Sequence, residues 1–144
     1  MKIRIHYHHT DCGGVVYYGT YLQFLEEARV ETMEALGVSV QALRQQGVQF
    51  VVYRQEIDYK GPAFYGDVLD VRAWVTGFSG IRLEFDYEIK NQGGRVISKA
   101  KTVLVCVNER LEPQAPPEDS AAKLAAAAAS APKPSPRPTP RPAV

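Results

Sequence analysis

Cysteine is scarce in this chain. The two present, Cys12 and Cys106, cannot build a disulfide scaffold, and a reducing cytoplasm is the expected compartment. An excess of one charge is also missing. Lys plus Arg number 17 and Asp plus Glu 16, a net charge of +1, which argues against a general nucleic-acid binder. No run of 18 apolar residues occurs, so no membrane-spanning helix is expected. The first residues, Met1-Lys2-Ile3-Arg4-Ile5, alternate where a secretory leader would present an apolar block. Histidine appears only as His6, His8 and His9, with no second cluster of Cys, His or paired acids nearby, so a metal site is not expected. Proline is nearly absent from the first 112 residues, where Pro62 is the sole example.

The other nine prolines lie in 113–144, together with ten alanines. The only large apolar residues of that stretch are Leu124 and Val144. A segment with so little to bury is expected to stay extended or disordered. Its Ala121–Ala129 run is at most a transient helix, because an isolated helix that short is marginal in water. The expected organisation is therefore one domain over 1–112 and a Pro/Ala-rich disordered tail over 113–144. A 112-residue body buries a moderate core, and pairing with a second subunit often adds stability at that size.

Within the body, residues 2–8 alternate as a strand, with Ile3, Ile5 and Tyr7 on one face. The loop Thr10-Asp11-Cys12-Gly13-Gly14 follows. Next comes the longest helix. Thr20 and Gln23 have the spacing of a capping box, and Gly37 marks the stop. Tyr21, Leu22, Phe24, Leu25, Ala28, Ala35 and Leu36 fall in an arc of about 160°, opposite Glu26, Glu27 and Glu34. A short helix is expected from Ser39 to Gln46. The period then switches to two over 48–60, 67–76, 81–90 and 95–107, with a hairpin signal at Gln92-Gly93-Gly94. One amphipathic helix and five strands predict an α+β fold, a curved, mostly antiparallel sheet wrapped around a single central helix. Such a sheet keeps two edges, and one invites pairing with an identical subunit.

Asp11 stands out chemically. It is an acid in a Gly-containing loop just ahead of a helix, where free backbone N–H groups face a ligand. Taken alone, an Asp-x-Gly-Gly segment reads as an ordinary Asx turn. The wider stretch changes the odds. Residues 7–31, with T-D-C-G-G-V-V-Y leading into a helix carrying E-E-A-R, resemble the acyl-CoA thioesterases of the hot-dog fold, and Y-K-G-P-A-F-Y-G-D-V-L-D-V fits as well. The closest likeness is to the branch holding 4-hydroxybenzoyl-CoA thioesterase and the bacterial YbgC-type, Tol-Pal-associated enzymes. It covers about 1–108.

That resemblance implies hydrolysis of an acyl-CoA to a free acid and coenzyme A, with Asp11 as nucleophile or general base. It also implies an oxyanion donor seven residues later, the backbone N–H of Tyr18, where YbgC-type enzymes often carry a histidine. Gly14, Val16, Tyr17, Tyr21 and Lys60 are the further expected substrate-binding residues. Coenzyme A carries phosphates, for which Lys60, Arg82, Lys90, Arg95, Lys99 and Lys101 are the basic candidates, Lys60 ranking first beside Gly61-Pro62. No metal or redox cofactor is implied, and a homodimer or homotetramer is. Of the neighbouring residues, Cys12 reads as a small packing residue, and Glu26 with Arg29 as a structural i,i+3 pair. Two rivals share the architecture. One is a catalytically weak acyl-binding or envelope-complex protein. The other is a dehydratase, which would want a histidine in or near the long helix, and 20–37 contain none.

Overall fold

The computed structural model describes residues 1–132. Five strands form one sheet in the order β1-β3-β4-β5-β2, and each neighbouring pair runs antiparallel. They are β1 (Lys2–Arg4), β2 (Gln49–Tyr59), β3 (Val68–Phe78), β4 (Arg82–Lys90) and β5 (Val96–Val107). Period-two alternation places the last four within a few residues of their observed limits. In β4 it is strict. Leu83, Phe85, Tyr87 and Ile89 are buried, while the residues between them point away from the core. From β3, Leu69, Val71 and Val75 join them.

Helix α1 (Thr20–Ala35) lies on this inner face and packs on β3. Tyr21, Phe24, Leu25, Ala28 and Met33 are its buried residues. Leu22, at the border of the apolar arc, is 46% exposed, and Ala35 in the last turn is exposed as well. Arg29 donates to the hydroxyl of buried Tyr87 at 3.0 Å, and no ion pair with Glu26 forms. The helix stops where Gly37, at φ +82°, enters the left-handed region. Gly37 N–H then donates to Glu34 O at 3.0 Å and Val38 N–H to Met33 O at 2.9 Å, the Schellman pattern. Ser39 caps α2 (Val40–Gln45) by accepting from Ala42 N–H at 3.1 Å.

Three expectations need correction. The first strand stops at Arg4 rather than residue 8. Beyond the Arg4–Val68 pair only Ile5 still bonds the neighbouring chain, its N–H donating to Asp67 O at 2.8 Å and its O accepting from Gly66 N–H at 2.9 Å, and the pairing ends where that chain turns through Gly66. Tyr7–His9 instead wind into a single 3-10 turn, and Tyr7 is 82% exposed. Second, no side chain caps α1. Thr20 is already helical, Gly19 is the N-cap, and Thr20 N–H bonds Tyr17 O at 2.9 Å, so backbone closes the turn and the capping box does not form.

The third correction concerns the tail. The chain stays attached to β5 beyond Glu112, with Gln114 N–H donating to Cys106 O at 3.0 Å. It then forms α3 (Glu118–Ala129), which packs on β3. Leu124 is fully buried in the same cluster as the inner faces of α1, β3 and β4, and Ala127 and Ala128 pack against it. Lys123 Nζ reaches back to Gly37 O at 3.1 Å. One leucine and two flanking alanines supply the tertiary packing that a short helix lacks alone. The sheet thus carries two helices, and ordered structure runs past the expected boundary at 112. The expectation for 133–144 falls outside the described residues.

The 3-10 turn is pH-sensitive by construction. His6, His8 and His9 crowd together, the His8 and His9 ring centroids lying 4.0 Å apart. The backbone N–H of His6 donates to His9 Nδ1 at 2.9 Å, so the bond exists only while that nitrogen is unprotonated. Burial, then the charges of His8 and His6, hold His9 below the ordinary value of 6.5. A depressed imidazole leaves the native state with fewer protons than the unfolded chain, so stability is lost as pH falls below 6.5 and through the lower native value. The unfolding temperature is expected to drop between pH 7 and pH 5, and His9→Gln to flatten part of that drop. An unchanged slope in the variant would exclude this role for His9.

Candidate active site

The loop after the 3-10 turn is built by backbone hydrogen bonds. Asp11 N–H donates to Val15 O at 2.8 Å and Gly14 N–H to Asp11 O at 3.1 Å, with Gly14 at φ +79° closing the turn. Short bridges then fix the next residues, Thr10 against Val16 and Val15 against Phe64. Val16 N–H donates to Ala63 O and Tyr17 N–H to His9 O, both at 2.9 Å. The loop is thus clamped between the histidine turn and the segment leading into β3.

Asp11 is exposed and does form the Asx turn. One carboxylate oxygen, Oδ1, accepts from Gly13 N–H at 2.8 Å. The other, Oδ2, accepts no hydrogen bond among the described residues. The structural and chemical readings of this residue are compatible, because each uses a different oxygen.

Asp11 borders a cleft of about 390 Å³. Val15, Val16, Tyr18, Tyr21, Tyr59, Lys60, Gly61 and Pro62 complete its wall. Five of the seven residues singled out in the sequence therefore meet there: Asp11, Val16, Tyr18, Tyr21 and Lys60. Gly14 and Tyr17 do not line it. Gly14 shapes the loop, and the Tyr17 ring meets that of Tyr18 at a tilt of 49°, centroids 4.7 Å apart, and lies over Gly19. Cys12 is exposed, not packed. A second depression, about 290 Å³ between Gln46–Gly47 and Asn108–Gln114, is lined by polar residues and glycine and has no apolar wall.

A turn at Tyr18–Gly19 separates the loop from α1. Thr20 and Leu22 N–H groups are spent on Tyr17 O and Gly19 O. Among the described residues, no acceptor takes the N–H of Tyr18 or Gly19. The unspent Tyr18 amide thus stands just ahead of α1, where the helix dipole adds positive potential, on a residue that lines the same cleft as Asp11. No set of three His, Cys, Asp or Glu suited to a metal ion occurs among the described residues.

Tyr59, like Val15, Gly61 and Pro62, lines the cleft without having been singled out in the sequence. Its hydroxyl donates to Tyr18 O at 3.0 Å, and its ring meets Tyr18 and Tyr21 edge-on at 6.3 and 5.6 Å. It fixes the peptide that follows the free Tyr18 amide. The available signal was its place at the end of β2, directly before Lys60-Gly61-Pro62. Burial, then Tyr59, push the Tyr21 hydroxyl up to about 12, so it remains a neutral phenol in any working range.

Ion pairs thin the basic candidates. Arg82 pairs with Glu84 at 3.2 Å, and Lys90 and Lys99 share Glu88 at 3.3 and 3.8 Å. Lys101 is the strand partner of Asp86 and acts on its charge. Lys60 and Arg95 make no ion pair among the described residues.

Comparisons with known proteins agree on one family. The model of the thioesterase-like superfamily matches residues 5–127, which extends through most of α3. The acyl-CoA thioester hydrolase YbgC of Escherichia coli is 34% identical over 122 residues, covering 84% of this chain and 91% of the relative. Among solved structures, a DHNA-CoA thioesterase from Staphylococcus aureus superposes with a TM-score of 0.78 at 32% identity, covering 80% of this chain and 78% of that one. A hypothetical protein from Thermus thermophilus reaches 0.84 at 28% identity, covering 88% and 97%.

Proposed function

The chain belongs to the thioesterase-like superfamily, and from that premise we propose that it hydrolyses acyl-CoA to a free carboxylic acid and coenzyme A, with Asp11 and the Tyr18 amide at the reacting group. The observation that carries this reading is the pairing, on one cleft, of a carboxylate with a free oxygen and an amide with no partner. Thioester cleavage asks for those two groups. One brings a nucleophile to the carbonyl carbon, and the other holds the charge that develops on the carbonyl oxygen.

Asp11 acts by one of two routes. As general base it takes a proton from water, the hydroxide adds to the carbon, the C–S bond breaks, and the proton goes to the departing thiolate. As nucleophile it adds directly, expels the thiolate and leaves a mixed anhydride that water opens. Water is the only co-reactant in either route, and no metal or redox cofactor takes part. An ionised carboxylate serves both, the ordinary form of an aspartate at neutral pH. The oxyanion is met by Tyr18 N–H, worth roughly 10²–10³ in rate for such a donor. Tyr59 sustains it by holding the next carbonyl.

The test is a panel of short, long and aromatic acyl-CoAs with release of free thiol as the readout. Repeated turnover on at least one acyl class is expected. Saturable binding to the panel without turnover would instead make the chain an acyl-binding protein.

Self-association belongs to the same proposal. Among the described residues β2 pairs only with β5, which leaves its other edge open. Val52 and Tyr53 on it are 52% and 71% exposed, and Leu22 and Tyr59 add further exposed apolar surface. An edge of that kind is covered most simply by a second copy. Sedimentation is expected to give two or four times the chain mass at micromolar concentration; the mass of a single chain would refute it.

A further inference from the structure

We infer that His9 is a positioning residue for the reaction: with a neutral imidazole it holds the Asp11 loop and the Tyr18 amide in place, and on protonation it releases them. This rests on the hydrolase reading above and adds a control to it. His9 precedes Asp11 by two residues and does not line the cleft. It acts through two bonds. Its side chain accepts the backbone N–H of His6 at Nδ1, 2.9 Å away, and its carbonyl accepts the N–H of Tyr17, also at 2.9 Å.

The oxyanion donor depends on Tyr17. The Tyr17 carbonyl and the Tyr18 N–H belong to one planar peptide group. Thr20 N–H holds that carbonyl at 2.9 Å while His9 O holds the Tyr17 N–H, so Tyr17 is pinned on both sides. The other end of the loop leans on the same 3-10 turn. Thr10 bonds Tyr7 O twice, through its N–H at 3.0 Å and its hydroxyl at 2.7 Å, and it bridges Val16. Asp11 lies between these anchors, so whatever opens the turn frees both reacting groups.

Protonation opens it. An imidazolium carries N–H on both nitrogens, so His6 N–H would then face a donor in place of an acceptor. The charge also has no relief where it stands. The ring centroids of His8 and His6 lie 4.0 and 5.8 Å away, and α1 presents the uncharged ring of buried Phe24 at 5.3 Å. From the loop comes only the backbone N–H of Tyr17. The charges that act on His9 are those of His8, then His6, and no carboxylate is among them. The turn therefore stays closed at neutral pH and gives way as pH falls below 6.5 and through the lower native value of His9.

The experiment follows two quantities from pH 7.5 to pH 5 in the full chain, unmodified, as His9→Gln and as His9→Ala. One is kcat on an acyl-CoA that the panel shows to turn over. The other is the hydrogen-exchange protection of the Tyr17 amide, read by NMR. Glutamine reaches back to the same N–H from this position of a turn and does not titrate. In the unmodified chain both quantities are expected to fall together, kcat by about tenfold, as a small misplacement of reacting groups requires. His9→Gln should keep most of both across the range, whereas His9→Ala should have lost them already at pH 7.5. An acid limb as steep in His9→Gln as in the unmodified chain, or a Tyr17 amide equally protected at both ends of the range, would overturn the latch while leaving hydrolysis intact. If no acyl-CoA turns over, the hydrolase reading fails instead, and the Tyr17 amide alone decides whether the latch exists.

Discussion

Asp11→Asn is expected to lower thioester hydrolysis by about 10²–10⁴-fold, the usual range for loss of a positioned acid–base group, while leaving the unfolding temperature unchanged. The two halves follow from the two oxygens of the side chain. Asparagine keeps an acceptor where Oδ1 takes the Gly13 N–H, so the turn closes as before. It loses the anionic oxygen that removes a proton or attacks carbon. Asp11→Ala separates the roles further. It should lose the same activity and also loosen the loop, by roughly 1 kcal/mol for one hydrogen bond. Thiol release and thermal unfolding, measured on both variants, check the pair. Activity of Asp11→Asn within tenfold of the unmodified chain would remove Asp11 from the reaction.

Leu124→Ala should be among the most costly single changes to stability, at about 2–5 kcal/mol. Leu124 is fully buried and is the one large apolar side chain that α3 sends into the core. Shortening it leaves a cavity between α3 and β3 that the alanines beside it are too small to fill. Ending the chain at Glu112 should cost more, since it also uncovers β3 and frees the Gly37 carbonyl from Lys123. Exposed Ala125 gives the control, where Ala125→Ser should stay within about 0.5 kcal/mol. Denaturant unfolding measures all three. A Leu124→Ala variant as stable as the control would mean that α3 contributes nothing to the core.

That helix also shows where sequence reading stops. Strands β2 to β5 were legible because each repeats an apolar residue at every second position, a signal that needs no knowledge of the partner. α1 was legible for the corresponding reason at helical spacing. α3 offers one leucine in a field of alanine, and a single apolar residue has no period. Its order depends on a surface beside α1 on β3 that exists only after the sheet has formed. The N-terminal strand failed in the opposite sense. Residues 2–8 alternate well, yet a strand lasts only as long as its neighbour, and the Gly66 turn ends that neighbour early.

The candidate site divides along the same line. Asp11, Val16, Tyr18 and Tyr21 lie within one short stretch, so a local motif could bring them together. Tyr59 joins them across 41 residues through a hydrogen bond, and no local pattern announces such a contact. Arg95 is a further case. In the sequence it is one basic residue among six, and only the fold brings its guanidinium against Gly61, the residue after Lys60. The amides of Tyr18 and Gly19 became identifiable as unspent only once the turn before α1 was closed by backbone alone.

The most direct test is a crystal structure of Asp11→Asn holding an uncleaved acyl-CoA. The thioester oxygen should sit about 2.7–3.1 Å from the Tyr18 nitrogen, with the residue 11 side chain facing the carbonyl carbon. A thioester bound away from both groups would contradict the proposed chemistry.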